Sequence, residues 1–330
     1  MAVAKSFSSV MLLFLLLNAH ATQFSISGLS SGAFLTVQME VAYSANIIGA
    51  GVIAGGPFYC SEGSALASTT DCMSIPDLID LSDLTEYTAA RVKDGSIDDT
   101  RNMANHQVFL FSGTLDTVVN QGVMKKLATY LGNYVPASNI VTEFNVPAEH
   151  AFITDNFGGI CAYLGIPFIN NCGIDTAGII LQQIYGTLNP KVSSISKNYF
   201  SFQQSKYFSS DNWDIAIMAD EGFLYVPTAC QGNYSACKLH VVMHGCGENY
   251  LESFSTVIYN AGYSQWAEAN DMILLFPQAS MDLLLNPMGC WDWWGYTNSD
   301  FALKKGVQMA GIFAMTQNLP AASSLKAVSS

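Results

Sequence analysis

Gly28-Leu29-Ser30-Ser31-Gly32 fits the pattern G-x-S-x-G, and its surroundings decide how the chain is read. The apolar run Phe24-Ser25-Ile26 precedes it, and a helical pattern starting at Ser31 follows directly. Strand, sharp turn and helix in succession are what a nucleophile elbow requires. Glycines on both flanks leave room for a turn too tight for side chains and let the helix pack close to its strand. Such a turn lifts the Ser30 hydroxyl above the end of the strand and aims the Ser31 amide at a reacting oxygen.

A serine nucleophile needs a base, and the base needs an orienting acid. Of the five histidines, His150 stands in Pro147-Ala148-Glu149-His150-Ala151-Phe152, just past a strand pattern over Ile140–Val146. Sites of α/β sheets assemble at that end of a strand. His106 precedes a strand and His240 lies inside an apolar one, so both read as structural. Asp116, in Ser112-Gly113-Thr114-Leu115-Asp116-Thr117, also follows a strand and is the candidate acid. A second reading makes Asp116 a cap for the helix that follows. The order Ser30, Asp116, His150 is that of the α/β-hydrolases.

Those enzymes carry a His-Gly motif on a strand before the nucleophile, and it supplies an oxyanion donor. If residues 1–21 are a leader, only eight residues precede Ser30, too few to hold it. The motif stands instead at Met243-His244-Gly245-Cys246-Gly247, after an apolar strand and long after His150. The expected fold is therefore α/β, a circularly permuted α/β-hydrolase with a mostly parallel central sheet flanked by helices. Termini can be relocated in this way because they lie at surface loops. The Cys246 amide then joins the Ser31 amide as an oxyanion donor.

Strand patterns cover Gln23–Gly28, Ile47–Ala54, Gln107–Ser112, Ile140–Val146, Leu239–Met243 and Met272–Pro277. Helical patterns cover Ser31–Tyr43, Asp77–Val92, Gln121–Leu131, Ser253–Asn270 and Ser299–Gln317. Asn198–Lys206 and Gly222–Pro227 alternate apolar and polar residues like an antiparallel pair. Phe58–Ile75, Ala148–Asp175 and Ala279–Asn298 read as long loops, all holding cysteines. No repeat or linker divides the chain, so residues 22–330 are expected to form a single catalytic domain.

Residues 1–21 have the layout of a signal peptide: Lys5, the apolar run Met11 to Leu17, then Ala19-His20-Ala21 as a cleavage site. That run is too short to span a bilayer. Export and an even count of eight cysteines point to disulfides rather than metal ligands. Eight cysteines allow 105 pairings. Proximity favours Cys60–Cys72, Cys161–Cys172 and Cys230–Cys237, leaving Cys246–Cys290. Half the residues are apolar and 12% charged, which excludes general disorder. A net charge of −13 speaks against nucleic acid and anionic membrane as partners.

Four segments together resemble the catalytic domain of extracellular poly(3-hydroxybutyrate) depolymerases. They are Gly28-Leu29-Ser30-Ser31-Gly32-Ala33-Phe34, Gly51 to Cys60, His244-Gly245-Cys246, and Cys290-Trp291-Asp292-Trp293-Trp294-Gly295-Tyr296. The likeness is to the single-domain form, without the linker and polymer-binding domain of many bacterial relatives. It implies Ser30, Asp116 and His150 as triad, the Ser31 and Cys246 amides as oxyanion hole, and no cofactor or metal. A Cys246–Cys290 bridge would bring the tryptophans beside that hole, so Trp294 and then Trp293 are expected to touch substrate. The expected activity is that of a secreted, monomeric serine esterase acting on poly(3-hydroxybutyrate) or its oligomers. The alternative is a carboxylesterase acting on small or plant cell-wall esters, such as feruloyl or acetyl groups.

Overall fold

The computed structural model describes residues 22–249 and 256–328. The expected leader, 1–21, lies outside the described residues. The chain enters the fold through β1 (Phe24–Leu29), whose residues are all buried. β2 (Ile47–Ile53), β3 (Gln107–Phe111) and β4 (Ile140–Glu143) then extend the sheet outward on one side. A small three-stranded sheet follows: β5 (Phe152–Thr154), β6 (Gly159–Ile160) and β7 (Ile169–Asn171). The chain then builds the far side of the large sheet with β8 (Tyr199–Gln203), β9 (Glu221–Tyr225), β10 (Lys238–Met243), β11 (Met272–Phe276) and β12 (Lys326–Ala327).

Among the described residues the large sheet has nine strands, in the order β12-β8-β9-β11-β10-β1-β2-β3-β4. From β11 to β4 the strands are parallel; β9, β8 and β12 are antiparallel to their neighbours. β10, which carries the His-Gly motif at its end, lies directly beside β1. Thr22 and Gln317 exchange hydrogen bonds of 2.8 and 3.0 Å, so the start of β1 meets the end of the last long helix. Joining those points and cutting elsewhere would place the β10 strand ahead of the nucleophile strand. This is the permuted α/β-hydrolase arrangement expected from the sequence.

Helix α1 (Ser31–Ala42) is buried along its whole length, so it carries no polar stripe. It lies close to both β1 and β2 because its first turn is stripped of bulk. A Cβ on Gly32 would stand 2.3 Å from the His244 carbonyl oxygen, and one on Gly28 would stand 2.5 Å from Gly32. α2 (Ala65–Thr69) is a short helix inside the first expected loop. α3 (Leu81–Asp94) starts at an Asp80 cap and ends at Gly95 in the left-handed region. α4 (Gln121–Leu131) buries Val123, Met124, Leu127, Tyr130 and Leu131, the spacing of one helix face.

Several boundaries differ from the sequence pattern. α3 begins four residues later than expected, because Pro76–Leu78 forms a 3-10 turn and Asp80 caps the helix. Sequence patterning placed no helix at α5 (Thr176–Tyr185), which is capped by Asp175 and packed on β2 and β3. α6 (Ser210–Ala216) was likewise unmarked. The expected helix Ser253–Asn270 is, from residue 256 onward, two helices: α7 (Thr256–Asn260) and α8 (Tyr263–Ala269), broken at Gly262 with φ 91°. Residues 253–255 lie outside the described residues. The last expected helix is shortened to α9 (Val307–Gln317), because Gly306 stands at its N-cap with ψ 127°, outside the helical region.

Four disulfides link Cys60–Cys72, Cys161–Cys172, Cys230–Cys237 and Cys246–Cys290. Gly32→Ala is expected to cost about 3 kcal/mol of stability, because the new methyl must push β10 and α1 apart. Thermal unfolding of the variant checks this; an unchanged midpoint would refute the close approach.

Candidate active site

Ser30 sits between β1 and α1 with φ 58° and ψ −123°. A non-glycine residue in that region stores about 1–3 kcal/mol of strain. The turn is held on both sides: the Ser30 amide donates to Ile53 O at 3.0 Å, and its carbonyl accepts from Ala33 and Phe34 at 2.9 and 3.0 Å. The Ser30 side chain faces a cavity of about 490 Å³, which His150 and Cys246 also line.

Asp116 and His150 come from loops after β3 and β4, and both are nearly fully buried. His150 Nδ1 lies 2.9 Å from Asp116 Oδ2. The other carboxylate oxygen accepts from the Val118 and Val119 amides at 2.9 and 2.8 Å. The capping reading of Asp116 is replaced by this loop turn, since α4 is capped by Asn120. Glu149, unremarked in the sequence, clips the two loops together. Its carboxylate accepts from the Thr117 amide, the Thr117 hydroxyl and the His150 amide. Thr117 follows Asp116 and Glu149 precedes His150, so this clip sets the spacing of the acid and the imidazole.

Ser31 adjoins Ser30, and Cys246, in the turn after β10, lines the same cavity as Ser30. Ser31 opens α1, where first-turn amides have no intrahelical acceptor. No acceptor among the described residues takes either amide. A Cβ on Gly245 would be 3.2 Å from Ser30 Cβ, which shows how near the His-Gly turn lies to the serine. That turn is braced from below. His244 Nδ1 donates to Gly245 O at 2.7 Å, and its Nε2 accepts from the Ala279 amide at 3.1 Å. These partners fix the neutral imidazole, and burial lowers its pKa to about 4. The Trp291 indole donates to His244 O at 3.0 Å, so this tryptophan is structural.

Within Trp291 to Tyr296, Asp292 is the organiser. Its carboxylate accepts from the Gly295, Tyr296 and Thr297 amides at 2.7, 3.0 and 2.9 Å. Trp293 stacks on Phe34 with ring centroids 3.9 Å apart, and Trp294 meets it edge-on. Both line the cavity, with Phe34, Met73, Phe168 and Met288 completing an apolar wall. Sequence reasoning did not place Phe34, Met73, Phe168 or Met288 in the site. His106 pairs with Glu40 at 3.1 Å, and His240 lies between the Ser25 and Ser27 hydroxyls at 2.6 and 2.8 Å; both are structural. Among the described residues no cluster of His, Cys, Asp and Glu could hold a metal ion. No described helix is long and apolar enough to cross a membrane.

No protein-family model matches the chain. It is 36% identical over 323 residues to the polyhydroxybutyrate depolymerase of Talaromyces funiculosus, covering 92% of this chain and 91% of that protein. The chain belongs to the polyhydroxybutyrate depolymerase family. The family resemblance read from the motifs is thereby borne out, and with it membership among the serine carboxylic-ester hydrolases. The poly(3-hydroxybutyrate) depolymerase of Delftia acidovorans is 45% identical over 307 residues, 92% of this chain. The match spans 60% of that longer relative. Two solved structures share the fold at 34% identity, covering 90% of this chain and 95% of theirs. One is a serine-to-alanine PHB depolymerase complexed with an R3HB trimer, with a TM-score of 0.83. The other is PHB depolymerase from Penicillium funiculosum, with a TM-score of 0.82.

Two outcomes are expected in this family member. Glu149→Gln should lower kcat about tenfold or more with little change in KM, because an amide cannot accept from all its present donors; steady-state kinetics on a soluble ester decide it. Buried neutral His244 titrates in the folded state near pH 4, against about 6.5 when unfolded. The unfolded chain therefore binds the extra proton first, and this contribution of about 3 kcal/mol is present above pH 6.5 and lost as pH falls through 4. Denaturant unfolding of wild type and His244→Asn between pH 7 and 4 measures it. Identical slopes would show that His244 does not carry it.

Proposed function

We propose that residues 22–330 are a secreted, monomeric serine esterase domain that hydrolyses poly(3-hydroxybutyrate) or its oligomers, with residues 1–21 a cleaved leader. The observation that carries this reading is the His150–Asp116 pair at 2.9 Å, facing the same apolar cavity as the strained Ser30. The named activities of the relatives and four disulfides, bonds that persist in oxidising compartments, support it.

Ser30 Oγ attacks an ester carbonyl while His150 Nε2 takes its proton. Asp116 accepts from Nδ1, which holds the imidazole in the tautomer whose Nε2 can accept, and stabilises the imidazolium that forms. The Ser31 and Cys246 amides receive the oxyanion, each such donor being worth about 3 kcal/mol in the transition state. Collapse of the tetrahedral intermediate expels the alcohol end, protonated by His150. Water, activated by the same imidazole, then frees the acid end from Ser30. Trp293 and Trp294, set edge to face, offer an apolar corner for the methyl-bearing repeat. The chemistry needs no metal or organic cofactor.

The test is clearing of an amorphous poly(3-hydroxybutyrate) suspension by the oxidised protein, beside Ser30→Ala and a soluble butyrate ester. Ser30→Ala is expected to fold normally and lose at least 10⁴-fold in turnover on both substrates. Ser30-dependent cleavage of the soluble ester without clearing would move the function to small-ester hydrolysis.

A further inference from the structure

Glu248 is buried, takes no part in the acyl-transfer steps above, and stands three residues past Gly245 in the turn after β10. Gly247, left-handed with φ 73°, folds the chain back, and the Gly245 amide donates to Glu248 Oε2. A Cβ on Gly245 would lie 2.7 Å from that oxygen and 3.2 Å from Ser30 Cβ, so a side chain there would crowd both. Glycine also has the widest backbone freedom of any residue, and Cys246 follows it directly. Two peptide planes meet at Gly245. The plane that holds the Cys246 N–H also holds Gly245 O, which accepts from His244 Nδ1 at 2.7 Å. The plane before it is clamped at both edges. His244 O accepts from the Trp291 indole at 3.0 Å, and Glu248 accepts from the Gly245 amide.

We infer that Glu248 is a positioning residue of the esterase: by holding the Gly245 amide it removes the freedom of that glycine and fixes the Cys246 N–H for the oxyanion. The inference rests on the proposed ester hydrolysis, which gives that N–H its task. With one clamp gone, the plane before Gly245 can tilt about the remaining contact, and the tilt passes through a flexible glycine to the Cys246 N–H. A misaimed donor weakens the transition state, while the apolar walls that bind substrate are untouched. The chemistry of the residue suits this role. Burial pushes the Glu248 carboxyl well above the usual carboxylate range, which favours the neutral acid. A neutral acid still accepts through its carbonyl oxygen, and it sets no negative charge beside a developing oxyanion. Glutamine keeps both properties, and methionine keeps only the bulk.

The test compares the oxidised full chain with Glu248→Met and Glu248→Gln on a soluble butyrate ester, with Ser30→Ala as blank. Inhibition by a trifluoromethyl ketone analogue, whose serine adduct carries an oxyanion, is measured beside it. Glu248→Met is expected to lower kcat about thirtyfold or more, within the 10²–10³ lost when an oxyanion donor is removed outright, with KM within about twofold. Its inhibition constant for the ketone should rise in step with the fall in kcat. Glu248→Gln should recover kcat to within about fivefold of wild type, because the acceptor is restored. A folded Glu248→Met with near-wild-type kcat would overturn the inference, as would a loss confined to KM or an unchanged ketone affinity. If Glu248→Met does not fold, Glu248→Gln still decides: folded protein with a thirtyfold loss would show that an acceptor alone does not suffice. Absence of Ser30-dependent hydrolysis in the wild type would remove the proposed function and this role with it, whereas an active wild type matched by Glu248→Met would remove this role alone.

Discussion

The close approach of β1, β10 and α1 at Gly28, Gly32 and His244 is the constraint on which the rest of the molecule depends. Two glycines let a helix and two parallel strands meet with no side chain between them. That contact sets Ser30 in a left-handed turn and keeps the His-Gly loop against it. The strain in the turn is sustained because hydrogen bonds from β2 and α1 hold both sides of the residue. A looser junction would let Ser30 relax and would part it from the turn that carries Cys246.

Around this rigid centre the walls are made of loops, and covalent or buried polar links hold them. The segment around Met73 is closed by Cys60–Cys72, the one around Phe168 by Cys161–Cys172, and the one around Met288 by Cys246–Cys290. A disulfide narrows the unfolded ensemble of the loop it closes, so a long irregular segment keeps one shape. Buried carboxylates do similar work over shorter range. Asp292 gathers three consecutive amides just past the tryptophans, and Glu149 joins the Asp116 loop to the His150 loop. Both satisfy backbone donors that would otherwise be left unpaired in the interior.

Much of this was legible in the chain. The elbow follows from a five-residue pattern between a strand and a helix, since local sterics alone demand glycine there. Asp116 and His150 follow from their place just past strands. The displaced His-Gly motif signals the permutation, because an oxyanion donor has to lie beside the nucleophile wherever it falls in the sequence. Helix α5 was hidden although its buried Ala177, Ile180, Leu181 and Ile184 keep one helical spacing, because ten residues with a central apolar run fit a short strand as well as a helix. The break at Gly262 was hidden as well, since a single glycine within an apolar pattern reads equally well as continuous helix.

The sequence by itself determined the strand–turn–helix at Ser30, the candidates Asp116 and His150 just past their strands, and the pool of cysteines. Tertiary structure alone decided which apolar residues share a cavity with the serine, that Glu149 braces the Asp116–His150 pair, and that three leucines, Leu283 to Leu285, stand exposed beside the cleft. The physical reason is range. Turn sterics and capping act within a few residues and are written locally. Phe34, Phe168 and Met288 meet only when a nine-stranded sheet brings strand ends from distant parts of the chain to one edge.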